Sequence, residues 1–437
     1  MSRLKKIIST MMCAMAAAAA FCMADGFLSR KISYVKNADF YGYDENFNIL
    51  FLGTSHMIMG VSPMELWNDY GITSYNMADY GQWLPVDYWV LRNALDYTTP
   101  ELVVVDVHAA GINDLYSGGH ISQLHEVFDD MPLSMNKIKA VFELLPEEKR
   151  MEFLFPFSFY HTRWDSIDKS FWDKVSPSTE KGANLDNTNS YDCAYVTPVD
   201  APVLLPKTQM NEEDTLGKQY LRKIIELCQA EDIQILLVAL PYAPSEWEQM
   251  NLNSVQKIAD EYGINYFNMN FEYDDINYNT DFYDAGHLNS SGAKKTTKAL
   301  GQYLVDNYAF TDWNDNEIAD VWDNDYIEYA DYKNTWLKQQ TSLHPYLMLL
   351  AYDEYEVSVT LSGTDIWKDN VCAELLENLG VETERMAETA AELKEHETVS
   401  IIVESKVTGQ IVDEVTFDCK IEEEDGKIKV TTLSVNR

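Results

Sequence analysis

The stretch FLGTSH, residues 51 to 56, sets a lone serine after a short apolar run, at the point where a helix should begin. Ser55 there has two readings, a nucleophile or the cap of the following helix. A second stretch, DFYDAGHLNSSGAKK, places Asp284 and His287 three residues apart in front of a helical run. A hydroxyl is a poor nucleophile near neutral pH. It needs an imidazole to take its proton and a carboxylate to fix the imidazole's tautomer, and Asp-x-x-His supplies both. Read separately, Asp284 is equally a turn cap and His287 an ordinary loop histidine. A metal is the other chemistry these residue types allow, with His56, His108 and His287 as ligands. No His-x-x-x-His or comparable pair accompanies them, so no metal and no cofactor is expected. His108, at the end of an apolar strand, reads as a hydrogen-bonded core residue.

The elements that must position these groups alternate short apolar strands with amphipathic helices from Asn48 onward, which predicts a parallel sheet covered on both faces. Strands are expected at 49–52, near 72–77, and at 102–107, 233–240 and 264–268. Ser62-Pro63 announces a helix carrying Met64, Leu66 and Trp67, with proline at its first position. Further helices are expected at 83–97, 213–230, 255–262 and 291–307. In such a sheet, ligands bind beyond the carboxyl ends of the strands, and Ser55 lies at that edge.

The alternation breaks over about residues 115–213, a length that in an α/β domain signals a functional insertion or a subdomain. Its FPFSFYHTRWDS stretch packs His161, Arg163 and Trp164 close together. These are candidates for binding an acceptor, since aromatic faces stack on sugar rings and arginine offers a planar fork of donors. The competing reading is that Phe155, Phe157, Tyr160 and Trp164 form the insertion's own core.

The chain has 437 residues, 46% of them hydrophobic, enough for two globular units. Residues 1–24 stand apart: Arg3, Lys5 and Lys6 precede an apolar stretch with no acid before Asp25, the pattern of a cleaved signal peptide or an N-terminal membrane anchor. The remainder is expected outside the cytoplasm, secreted or anchored to the outer face of the cytoplasmic membrane. The net charge of −38 argues against nucleic acid as a partner. Cys193, Cys228, Cys372 and Cys419 show neither disulfide nor metal spacing. Residues 25–310 are read as the α/β domain, 311–344 as an acidic aromatic connector packed between domains, and 345–437 as a small α+β module. In that module, 357–361, 415–421 and 428–430 alternate as strands, and the last two flank Asp425-Gly426, a hairpin signal.

Together, a serine after the first strand and Asp-x-x-His before the last helix resemble the SGNH (GDSL-like) hydrolase superfamily, over roughly residues 48–308. The resemblance implies a three-layer α/β/α doubly wound parallel sheet, SGNH/flavodoxin-like, with Ser55 as nucleophile and Asp284 and His287 completing the triad. It also implies oxyanion donors from a glycine after the second strand, matched by Gly81, and from an asparagine in Gly-x-Asn-Asp, matched by Asn113. That GIND motif starts about three residues later than the family register counted from Pro100.

Gly-Thr-Ser-His in place of Gly-Asp-Ser resembles the branch of the alginate O-acetylation proteins and the teichoic-acid D-alanine transfer protein. This branch implies a serine esterase or O-acyltransferase acting on a cell-surface polysaccharide or polyol polymer beside a membrane-bound O-acyltransferase. The alternative from another class is a non-catalytic glycan-binding or assembly protein on the same fold. The C-terminal module is similar to the interleukin-like EMT-inducer domain, an accessory unit.

Overall fold

Five short, almost wholly apolar runs form one parallel sheet: β1 (Ile49–Leu52), β2 (Ser74–Asn76), β3 (Leu102–Asp106), β4 (Gln234–Ala239) and β5 (Asn265–Asn268), in the order β2-β1-β3-β4-β5. The chain is seen in a computed structural model that describes residues 3–28, 39–42, 47–115, 121–156, 159, 193–313, 317–352, 354–381, 395–406, 408–424 and 426–437. Successive strand side chains point to opposite faces, and here they enter two separate cores. Leu50, Leu52, Val103, Val105 and Leu237 join one, while Ile49, Phe51, Val104, Leu236 and Val238 join the other. Both faces of these strands are buried, which is why they read as continuous apolar runs.

Helix α1 (Arg3–Leu28) precedes the sheet in the chain, and the helices packed about its two cores are α2 (Ser55–Gly60), α3 (Pro63–Tyr70), α4 (Leu84–Ala94), α5 (Ile121–Asp130), α6 (Met135–Leu144), α7 (Arg150–Leu154), α8 (Leu216–Ala230), α9 (Glu246–Tyr262) and α10 (Ser290–Asn307). Leu91, Ile224 and Val255, from α4, α8 and α9, fill the first core. Met57, Leu300 and Leu304, from α2 and α10, fill the second. Strand order reverses between β1 and β3, so their carboxyl ends open a crevice into which the segments after both strands project. No helix among the described residues is long and apolar enough to cross a membrane.

The stretch expected as a connector is the long helix α11 (Glu317–Gln339), followed by α12 (Leu343–Leu349). Its aromatic residues do pack between the units: Trp322 and Tyr329 are fully buried, and Asp323 accepts the Trp67 indole N–H at 2.9 Å. At this junction Lys333 is enclosed with two carboxyls, Glu65 of α3 at 2.8 Å and Glu354. Burial pushes the Lys333 ammonium down, but the two carboxyls outweigh it and the group stays charged. Burial also raises the Glu65 carboxyl, whereas in Glu354 it is outweighed by Lys333, which holds that carboxyl below its ordinary range.

The C-terminal module is an antiparallel sheet of β6 (Tyr355–Leu361), β7 (His396–Ser405), β8 (Ile411–Glu424) and β9 (Lys427–Asn436), in that order, with helix α13 (Asn370–Asn378). Strand β7 is not among the strands expected from the sequence. The alternation of Val399, Ile401 and Val403, all fully buried, was the available signal. The β8–β9 hairpin turns at Gly426, with φ of 77°.

Candidate active site

Ser55 is the first residue of α2, and the cap is its neighbour: Thr54 has extended backbone, and its Oγ1 accepts from the His56 N–H at 3.3 Å. The capping reading of Ser55 is therefore replaced by a residue that does that work beside it, and the Ser55 hydroxyl points elsewhere. Its Oγ lies 2.7 Å from His287 Nε2. On the far side of the ring, Nδ1 is 2.8 Å from Asp284 Oδ1, which also accepts from the backbone N–H of Gly286 at 2.8 Å and of His287 at 2.9 Å. Those backbone bonds fix the carboxylate, which fixes the Nδ1–H tautomer and leaves Nε2 free to accept a proton from Ser55. The Asp284 side chain is half exposed and that of His287 about a quarter exposed (27%), so the catalytic edge is open to an incoming molecule.

The nucleophile's loop is held from beneath by two carboxyls. Gly53 has φ of 149°, and a Cβ there would stand 2.6 Å from Asp106 Cβ, so only glycine lets the chain turn over β3. Asp106 accepts the His108 N–H at 3.1 Å and bonds Thr54 Oγ1 at 3.4 Å. Asp87 on α4 accepts from Gln82 Nε2 at 2.7 Å, and its other oxygen has no partner. Both carboxyls are buried with no cation beside them. Desolvation pushes Asp106 up to about 7 and Asp87 to about 8.

Gly81 stands in a turn after β2, with φ of 66°. The same segment is tied to the nucleophile's loop by the Asp79 N–H, which donates to Gly53 O at 3.2 Å. Among the described residues, neither the Ser55 nor the Gly81 backbone N–H has a hydrogen-bond acceptor. Two donors beside the nucleophile are thus left for developing negative charge. Asn113 is exposed at the start of α8: its amide N–H₂ donates to Glu213 at 2.8 Å and its oxygen accepts from Leu216 N at 3.1 Å. The segment at the end of β3 is a single 3-10 turn, His108–Gly111. His161, Arg163 and Trp164 lie outside the described residues.

Sequence reasoning did bring His56, His108 and His287 to one place, but for the wrong chemistry. His56 and His108 stack face to face, with centroids 3.7 Å apart, and Tyr242 packs edge-on against both, at 4.9 and 5.0 Å. Stacked rings aim their nitrogens sideways rather than at a shared ion. Burial lowers His56 well below the ordinary histidine range and His108 to about 4, so both are neutral near pH 7. His108 is the partly buried end of the pair rather than a satisfied core residue, since its Nδ1 is sealed without a partner.

Among the described residues the group whose atoms approach metal-ligand spacing is His344, Asp369 and Cys372, in the C-terminal module. The sequence reading passed over it. There Asp369 caps α13, accepting from Val371 N and Cys372 N, and takes the Val430 N–H at 2.8 Å. Both of its oxygens are thus already used in holding the module together. No family model matches the chain, and no curated protein matches it in sequence.

Proposed function

We propose that this protein is an extracytoplasmic serine acyl-transfer enzyme of the SGNH type, moving a small acyl group, most simply acetyl, onto or off hydroxyls of a cell-surface glycan. The observation that carries this reading is the continuous chain from Ser55 Oγ through His287 to Asp284, with bonds of 2.7 and 2.8 Å. The strand order β2-β1-β3-β4-β5 supports a doubly wound, flavodoxin-like layering, and the basic-then-apolar N-terminus supports export.

Ser55 Oγ attacks the acyl carbonyl while its proton passes to His287 Nε2, and the tetrahedral oxyanion is met by the N–H groups of Ser55 and Gly81. Collapse expels the donor's alcohol, which leaves with that proton. An acceptor hydroxyl then gives its proton to His287 and attacks the acyl-Ser55 ester. Water in that position makes an esterase, and a sugar or polyol makes a transferase, with a membrane-bound O-acyltransferase as a fitting source of acyl groups.

The test is labelling with a serine-directed fluorophosphonate and acetate release from an activated ester. Ser55→Ala and His287→Ala should abolish both with the fold intact. Asp284→Asn should slow acylation by on the order of 10²–10⁴-fold, because it orients the base rather than moving the proton. Undiminished labelling of Ser55→Ala would remove Ser55 from the chemistry.

A further inference from the structure

The histidine that follows the nucleophile takes no part in the steps above, yet it is placed beside them. His56 is 93% buried, its exposure being 7%. Its ring centroid lies 5.3 Å from that of His287. Among the described residues neither of its ring nitrogens makes a hydrogen bond, and neither belongs to the sealed polar atoms of the interior. Its nitrogens therefore keep donor and acceptor capacity that the protein leaves to a molecule entering from solvent. The ring cannot turn to find a partner, because one face lies on His108 and Tyr242 presses its edge.

The nearest chain on the reactive side is Gly286. A Cβ there would come within 3.9 Å of His56 Nε2 and 3.6 Å of Asp284 Oδ1, so the absence of a side chain leaves open the gap between His56 and the Asp284–His287 pair. A neutral imidazole offers one donor and one acceptor, which is how a hydroxyl is held without being ionised.

Resting on the acyl-transfer reading, we infer that His56 is an acceptor-binding residue that selects vicinal diols: it holds one hydroxyl of the acceptor while the neighbouring hydroxyl gives its proton to His287 and attacks acyl-Ser55. Two imidazoles at this separation address two adjacent oxygens of one sugar or polyol. A mono-alcohol engages only His287 and forgoes the bond to His56, so the diol is favoured by the worth of one hydrogen bond.

The experiment acylates the full chain with an activated acetyl ester and offers propane-1,2-diol or propan-1-ol, reading transfer products by mass spectrometry. Both acceptors draw on the same acyl-enzyme, so the ratio of the two transfer rates cancels any change in the acylation step. The wild type should favour the diol by about tenfold, the worth of one well-made hydrogen bond. His56→Phe, which keeps a ring to stack on His108, should bring the ratio to near one, and His56→Gln, which restores a donor and an acceptor, should recover most of it. An unchanged ratio in His56→Phe overturns the inference. So does a wild type with no preference for the diol, a result that needs no variant to fold. Fluorophosphonate labelling of the wild type separates the two levels: a labelled enzyme without diol preference loses the inference and keeps the reading of Ser55, whereas an unlabelled one loses both.

Discussion

Among the buried carboxyl groups of this molecule, those under the nucleophile's loop and those at the junction with the C-terminal module resolve the same difficulty in different ways. Under the nucleophile's loop, Asp87 and Asp106 are 1% exposed and have no cation near them, and desolvation raises both to about 8 and 7. At the junction between the sheet and the C-terminal module, Glu65 and Glu354 enclose Lys333, itself 1% exposed, with Tyr329 and Tyr352 facing its ammonium at 4.6 and 4.7 Å. Both sites are largely enclosed, but the counter-ion differs. Without one, desolvation favours the protonated, neutral carboxyl; with one, burial still raises Glu65, but Lys333 holds Glu354 below its ordinary range, and the charge kept inside must stay balanced. The junction is thus fragile to loss of a single partner, and the loop support is not.

Lys333→Met should show the largest effect. It strands two buried carboxyls and should cost about 3–5 kcal/mol in urea unfolding, with loss of docking between α11 and α3. A cost as small as that of an ordinary surface change would erase the distinction.

Asp106→Asn should come next, at about 1–3 kcal/mol. It keeps the group neutral, but it turns an amide N–H₂ toward the Thr54 and His108 donors that Asp106 now accepts. Because Thr54 caps α2, acylation of Ser55 should slow alongside the loss of stability, measured as the rate of fluorophosphonate labelling.

Asp87→Asn should be mildest, because the unpartnered Asp87 oxygen can become an amide nitrogen without displacing a donor. Its signature is in pH. The folded carboxyl titrates at about 8 and the unfolded one near its ordinary value of 3.8. The native state therefore holds the proton more tightly, and its contribution is fully present below pH 4. That contribution drains as pH rises toward 8, above which both states are ionised. Asn does not titrate, so the variant should match the wild type near pH 4 and gain on it by on the order of 1 kcal/mol or more by pH 8. Thermal melts across that range give the measurement, and a parallel pair of pH profiles would place the proton elsewhere.

The sheet was legible because its strands are buried on both faces and so appear as unbroken apolar runs; β1 was read to the residue. Helix α9 was read as starting at 255, about two and a half turns late, for an equally physical reason. Its first half buries amides instead of hydrocarbons. Gln249 bonds Val203 O, Pro244 O and Leu205 N, and Asn253 reaches Pro206 O and Gln209 O. Such a face has no apolar period, and the capping box at Ser245 and Glu248 was the signal that remained. In the site, Ser55, Asp284 and His287 were legible together through the family resemblance, a serine after the first strand and Asp-x-x-His ahead of the last helix, and the structure brings the three side chains into one hydrogen-bonded chain. Asn113 shows how little a four-letter motif says about which way an exposed amide turns: in the structure it bonds Glu213 and Leu216. The stacking of His56 on His108 was out of reach for the same reason: it depends on two loops from different strands closing to 3.7 Å.

One bond already described also fixes an order in time. Ser55 and His287 are separated by 232 residues, and between them lie β2 to β5 and the long insertion. At about 5–20 residues per second of synthesis, the serine emerges at least ten seconds before the imidazole that activates it. On the proposed acyl-transfer function, until the segment ahead of α10 has arrived and docked, the growing chain carries an ordinary alcohol, unable to attack esters on its route, and reactivity would begin only with completion of the sheet that brings the two together.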